Sequence, residues 1–244
     1  MSSYYLHNHR IFGLNAINAF DNNSHGHVFR KCMDSIDNVS NETDLTIFIE
    51  AQLSNIHSLE LKLPNKHWCR MLTESSGGRF QWAFTACCAI KDHRGALRPT
   101  ECLSRFLSSV RGLDELYSEV LGQAFDIEDF VSMSRFKLVM GRILATNELL
   151  SISAHSELQD DDDPADLVEL VVSLLGSLMR GVDQQDVPLW ALHTSFLDFL
   201  TDASHSESYF VTPSQHNQSL ALSSLRVMKS DLRFNICGME TSNL

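Results

Sequence analysis

Phosphate chemistry leaves the most specific trace a sequence can carry: a Gly-rich loop ending in Lys and Ser or Thr, whose backbone amides cradle phosphate oxygens. No GxxxxGK[ST] occurs in this chain. Its adjacent glycines, Gly77 and Gly78, lead into Arg79 and Phe80 between two helical patterns, where such a pair ends a helix. No apolar strand ends in paired acids that could hold magnesium. His7 with His9, and His25 with His27, have the spacing that puts two imidazoles on one face of a strand. Neither pair has the cysteine or carboxylate cluster that would complete four ligands, and His7-Asn8-His9 lacks the dispersed residues of a nuclease. Asp160, Asp161, Asp162 and Asp163 form a like-charge run; four adjacent side chains in an extended loop diverge, so the run predicts a solvated loop and not a metal site. A GxSxG elbow is absent, and the six cysteines, at 32, 69, 87, 88, 102 and 237, show no CxxC spacing and read as buried free thiols of a reducing compartment. Neither a catalytic residue nor a metal ligand is expected.

The elements that would position any chemistry are helical. Thr43 is the expected cap of a first helix with Leu45, Phe48, Ile49, Leu53 and Ile56 on one face. Asn65 is the expected cap of a second across 65–75, turning Trp68, Met71 and Leu72 inward. Residues 79–92 are apolar nearly all round, the mark of a helix enclosed by neighbours. Pro99 introduces another, with Leu103, Phe106, Leu107 and Val110 inward. Gly112 precedes a fifth, carrying Leu113, Leu116, Tyr117, Val120 and Leu121. A helix over about 127–146 is expected to bury Phe130, Val131, Phe136, Val139, Ile143 and Leu144. Beyond the Asp run, 166–178 reads as an apolar helix and 178–192 as a hairpin turning at 181–186. A helix at about 194–202, an aromatic link through Tyr209 and Phe210, and an amphipathic helix from Pro213 to about Lys229 follow.

The predicted fold is mainly α: a helical bundle followed by a winged-helix-like module with a short β-hairpin. The expected divisions are an irregular stretch at 1–42, a helical region at 43–125, the winged-helix-like module at 126–204, and an exit helix and tail at 205–244. Nineteen Lys plus Arg against thirty-one Asp plus Glu leave a net charge of -12, which opposes a grip on a phosphate backbone. The helix at 166–178 that would read DNA has no Lys or Arg, so nucleic acid is not expected as a partner. The start of the chain lacks a signal-peptide pattern and no stretch reaches the roughly 18 apolar residues of a membrane span, so a cytoplasmic protein with no membrane contact is expected.

Three stretches resemble the NACHT family of signal-transducing NTPases, in particular those of mushroom-forming fungi. GGRFQWAFTAC at 77–87 is similar to the segment that closes the family's NTPase core. FKLVMGRILATNELLSISA at 136–154 resembles the opening of its winged-helix part, with Glu148 where Pro is usual. LWALHTSFLDFL at 189–200 is similar to its Leu-His-Pro-Ser-Phe motif, with Thr194 replacing the Pro. The tail at 214–239 is also like the family's helix towards a repeat domain, and the four occur in family order.

The resemblance covers about residues 44–239 and implies the helical lid, the winged helix and the exit helix, with the phosphate-binding loop, magnesium-binding acids and repeats lying elsewhere. For His193 alone it implies contact with a nucleotide phosphate; the rival reading is a His that caps or packs its helix. The expected function is thus a regulatory or vestigial fragment acting by protein contact or self-association. It would have no hydrolysis and no cofactor of its own, ADP or ATP entering only if the NTPase core is supplied. A stand-alone helical adaptor, and a nucleotide-binding subunit completed by another chain, are the alternatives. The apolar docking face is expected on the helices at 44–57 and 79–92, through Phe48, Leu53, Phe80 and Phe84.

Overall fold

The computed structural model describes residues 38–54, 66–91, 98–109, 112–160 and 162–234. The two His pairs, the Asn65 cap, Ile56, Val110, Asp161, Cys32 and Cys237 lie outside them.

Helix α1 spans Asn38–Leu53 and buries Leu45, Ile49 and Leu53 completely, one residue per turn. It begins before Thr43, so Thr43 is no cap and the boundary drawn at 42/43 falls inside a helix. Nothing between Asn38 and Thr43 breaks a helix, and tertiary contact secures the extra turn: Asn41 Nδ2 donates to the Gly78 carbonyl at 2.9 Å. Helix α2, Lys66–Ser76, buries Cys69 and Leu72, while Trp68 and Met71, expected inward, are only half-buried. It stops where Gly77 and Gly78 take left-handed φ values of 56° and 79°, which a Cβ would oppose.

Helix α3, Phe80–Lys91, is enclosed from Trp82 onward, with Trp82, Ala83 and the run Thr85–Ile90 buried and Phe80 exposed at its start. The all-round apolar pattern anticipated this, because a helix with neighbours on every side has no polar face to present. Helix α4, Pro99–Ser109, starts on the proline, whose missing N–H costs nothing in a first turn. Helix α5, Leu113–Ala124, turns Leu116, Tyr117, Val120 and Leu121 inward.

Helix α6, Phe130–Ala145, is capped by the Asp129 carboxylate, which accepts from the Val131 amide. It buries Met133, Phe136, Val139 and Met140, but Phe130 and Val131, expected inside, are 82% and 53% exposed. Periodicity assigns a face to the whole helix, whereas burial needs a neighbour, and the first turn of α6 lies beyond its neighbours. Ile143 and Leu144 are half-buried.

Helix α7, Ile152–Glu157, is capped by Ser151. Helix α8, Leu167–Ser173, is shorter than expected; residues 174–178 leave the α-helix through tighter turns such as Leu178 N–H to Leu175 C=O. Strands β1, Met179–Arg180, and β2, Trp190–Ala191, pair antiparallel with Met179 opposite Ala191 and Arg180 opposite Trp190. Gly181, at φ 82°, lets the hairpin pass so close to the Pro188 carbonyl that a Cβ would collide with it. Ser151 bridges Pro188, and the Leu189 amide donates to the Leu150 carbonyl, so the segment before α7 lies beside the hairpin. Three helices followed by a hairpin, with that added edge, follow the order of a winged helix.

Helix α9, Thr194–Thr201, and the single-turn α10, Ala203–Ser206, come next, then 3₁₀ turns at Glu207–Tyr209 and Pro213–His216 and helix α11, Asn217–Asp231. The described residues are mainly α with one two-stranded sheet, and one apolar cluster runs from Leu45 through Phe106 and Phe136 to Val211.

Candidate functional site

His193 stands where β2 gives way to α9. Its Nδ1 accepts from the Ser195 amide at 3.1 Å and lies 2.8 Å from the Ser195 hydroxyl, so the imidazole caps the helix. The Ser195 hydroxyl also meets the Tyr117 hydroxyl of α5 at 2.7 Å. Burial pushes the Tyr117 phenol above its ordinary range, which keeps it protonated and able to share that hydrogen bond. Below this polar chain Phe196 and Phe199 pack on the Tyr117 ring at 5.3 and 5.5 Å. The stretch at 189–200 is thereby packed against α5. Nδ1 is engaged in the cap, and the ring is exposed.

A second polar cluster went unread in the sequence. Arg142 of α6 is 3% exposed, and its guanidinium donates to Asp163 Oδ2 and Asp160 Oδ2, each at 2.6 Å. The Asp run is thus no merely solvated loop, because two of its carboxylates neutralise a buried cation that would otherwise be intolerable there. Asp160 Oδ1 also accepts from Ser223 of α11, and Arg226 donates to the backbone carbonyls of Gln159 and Glu157. Two imidazoles adjoin the cluster. Burial first, and the Arg142 charge second, lower His155 to about 4; the same two causes lower His216, whose ring lies against Gly141. A signal did exist: Arg142 sits three residues after Val139, on the inward stripe of α6, where a charge demands a partner.

The expected docking face is partly corrected. Leu53 is fully buried, while Phe48 packs against the core and meets Phe80 edge-on at 5.8 Å and Phe84 at 6.4 Å. Arg180 lies over the Phe84 ring. Phe80 alone of the four is widely exposed, since α1 and α3 cover one another. Exposed apolar side chains lie at Ile47 of α1, at Leu149, Leu170 and Trp190, at the start of α6 and along α11.

The thiols of Cys69, Cys87, Cys88 and Cys102 are buried. Burial, reinforced by adjacent Cys88, pushes Cys87 up to about 12, so it is a packing group and not a nucleophile. Among the described residues no group of three His, Cys, Asp or Glu could hold a metal ion, and no helix is long and apolar enough to cross a membrane.

An ADP diphosphate needs several convergent donors, and the sequence has no phosphate-binding loop to supply them. Comparison with protein-family models, with curated proteins and with solved structures finds no match to this chain.

Proposed function

We propose that this chain is a regulatory module of a NACHT-type signalling NTPase, working in the cytoplasm through protein contacts and without nucleotide hydrolysis of its own. The observation that carries the reading is the seam at His193, Ser195 and Tyr117. The stretch most like the family's Leu-His-Pro-Ser-Phe motif packs on α5 through Ser195 and Tyr117 and leaves the His193 ring exposed. In that setting His193 would reach a nucleotide phosphate only beside an NTPase core supplied from elsewhere, and nucleic acid is not a partner.

The experiment has two arms. The purified chain should neither turn over ATP nor bind ADP measurably by calorimetry, because one charge-assisted contact falls far short of the roughly 8 kcal/mol of micromolar binding. Turnover lost on His193→Ala would overturn the reading in favour of a nucleotide-binding subunit. The coding sequence before this chain should also supply GxxxxGK[ST]; its absence from the transcript would leave the stand-alone adaptor, which the exposed apolar side of α11 favours.

A further inference from the structure

Helix α11 is amphipathic in the reverse of the usual sense. Its inward side is mostly polar: only Leu220 and Ser223 are buried, and Ser223 and Arg226 attach it to the Asp run. Its outward side carries Leu222, Leu225, Met228 and Leu232, each more than half exposed, followed by Phe234 at 97%. Spacings of three and four residues put the first four on one stripe. Exposed Lys229 and Arg233 accompany them. An apolar stripe with basic companions calls for a partner that is apolar and acidic.

The same chain presents that complement. A cleft of about 720 Å³ between α5 and the Glu207–Tyr209 turn is lined by Asp114, Glu115, Glu119 and Glu207. Among the described lining residues His205 is the basic group, pairing with Asp114 at 2.7 Å, while Glu119 pairs with Arg105 at 3.4 Å. Ile127 and Ser208 belong both to this cleft and to an adjoining hollow of about 380 Å³ containing Phe130. Ile127, Phe130 and Val131 are exposed beside the carboxylates. Within one molecule α11 is already fastened to α6 and the Asp run.

The geometry points to a head-to-tail contact between copies of this chain, in which the outward face of α11 of one copy docks on the acidic cleft and the adjoining Ile127–Val131 step of the next. Such a contact uses two different surfaces, so a pair of copies still has one of each free and the assembly can grow beyond a dimer. It also lets a chain of net charge -12 associate with itself, because the basic patch of one copy meets the acidic patch of another. The proposal stands on these two surfaces and not on the nucleotide reading, so either can fail alone.

The test is light scattering of the full chain over a concentration series, with two variants changed only at exposed positions. Lys229→Glu with Arg233→Glu removes the basic face, and Glu115→Lys with Glu207→Lys removes the acidic one. The native chain should gain mass with concentration and lose part of that gain in added salt, while each variant alone stays at the mass of one chain with an unchanged melting temperature. Mixing the two variants should restore association, since the intact cleft of one then meets the intact α11 of the other. A native chain that stays single at every concentration overturns the proposal. Association lost in the α11 variant but kept in the cleft variant also overturns it, by showing that α11 pairs with α11.

Discussion

Helices α1 to α5 and helices α6 to α11 share one apolar cluster but bury different polar groups within it. In the first region Leu45, Leu72, Trp82, Phe106 and Tyr117 are enclosed, and the buried polar side chains are mainly thiols and hydroxyls. The hydroxyls of Thr73 and Ser76 bond carbonyls within their own helix, at 2.9 and 2.6 Å. In the second region a guanidinium and an imidazole are buried together, and a loop of aspartates joins α6 to α11. Burial of neutral groups is indifferent to pH. A buried ionic cluster ties the placement of an entire helix to protonation and charge, so the second region is the one fitted to respond to conditions.

The largest expected effect falls on the first region. Trp82 is fully buried, and cutting it to Ala should cost roughly 3–5 kcal/mol. That approaches the whole stability of an ordinary domain. Trp82→Ala should be insoluble or molten, as read by near-ultraviolet circular dichroism; an unchanged melting temperature would show that α3 is not the centre of its region.

Acid should act on the second region. His155 is held neutral, lowered to about 4 from an ordinary value near 6.5, so the unfolded chain takes up a proton that the fold refuses. Stability is full above pH 6.5 and falls as the pH drops towards 4, by up to roughly 3 kcal/mol from this group. His216 is shifted in the same direction and adds to the slope. Melting temperature against pH, with His155→Gln as control, checks this. An equal fall in the control would place the sensitivity outside the imidazole.

Asp163→Ala removes one of the two carboxylates on Arg142 and leaves Asp160 in place. A loss of about 2 kcal/mol is expected, the range of a charge-assisted hydrogen bond. The cost should show in denaturant melts and be accompanied by faster amide exchange in α11. Faster exchange confined to α1–α5 would contradict the division between the regions.

The smallest effect belongs to the seam. His193→Ala removes a helix cap and should cost about 1 kcal/mol, with no change in nucleotide binding. Tight ADP binding abolished by this change would make His193 a ligand and sharpen the seam into a site.

Much of the helical framework was legible in local pattern. The enclosure of α3, the stop at Gly77 and Gly78, the inward stripe of α5 and the hairpin at 179–191 each follow from signals within about a dozen residues. The errors share one cause. Phe130 and Val131 were assigned to a core that does not reach them, and Leu53 to a surface that α1 turns inward. Which neighbour covers a side chain is a property of the packed molecule and not of its own segment.

The sequence by itself determined the mainly helical architecture, its punctuation and the lack of a phosphate-binding loop, because periodicity, capping and glycine conformation act through neighbouring residues. Only the tertiary structure decided that Arg142 would draw Asp160 and Asp163 to it, that Ser195 would meet Tyr117 across 78 residues, and that α11 would turn its leucines outward. Those outcomes depend on which groups share a small volume once the chain has folded, where an unpaired charge or an orphaned hydroxyl costs more than any local preference of the chain.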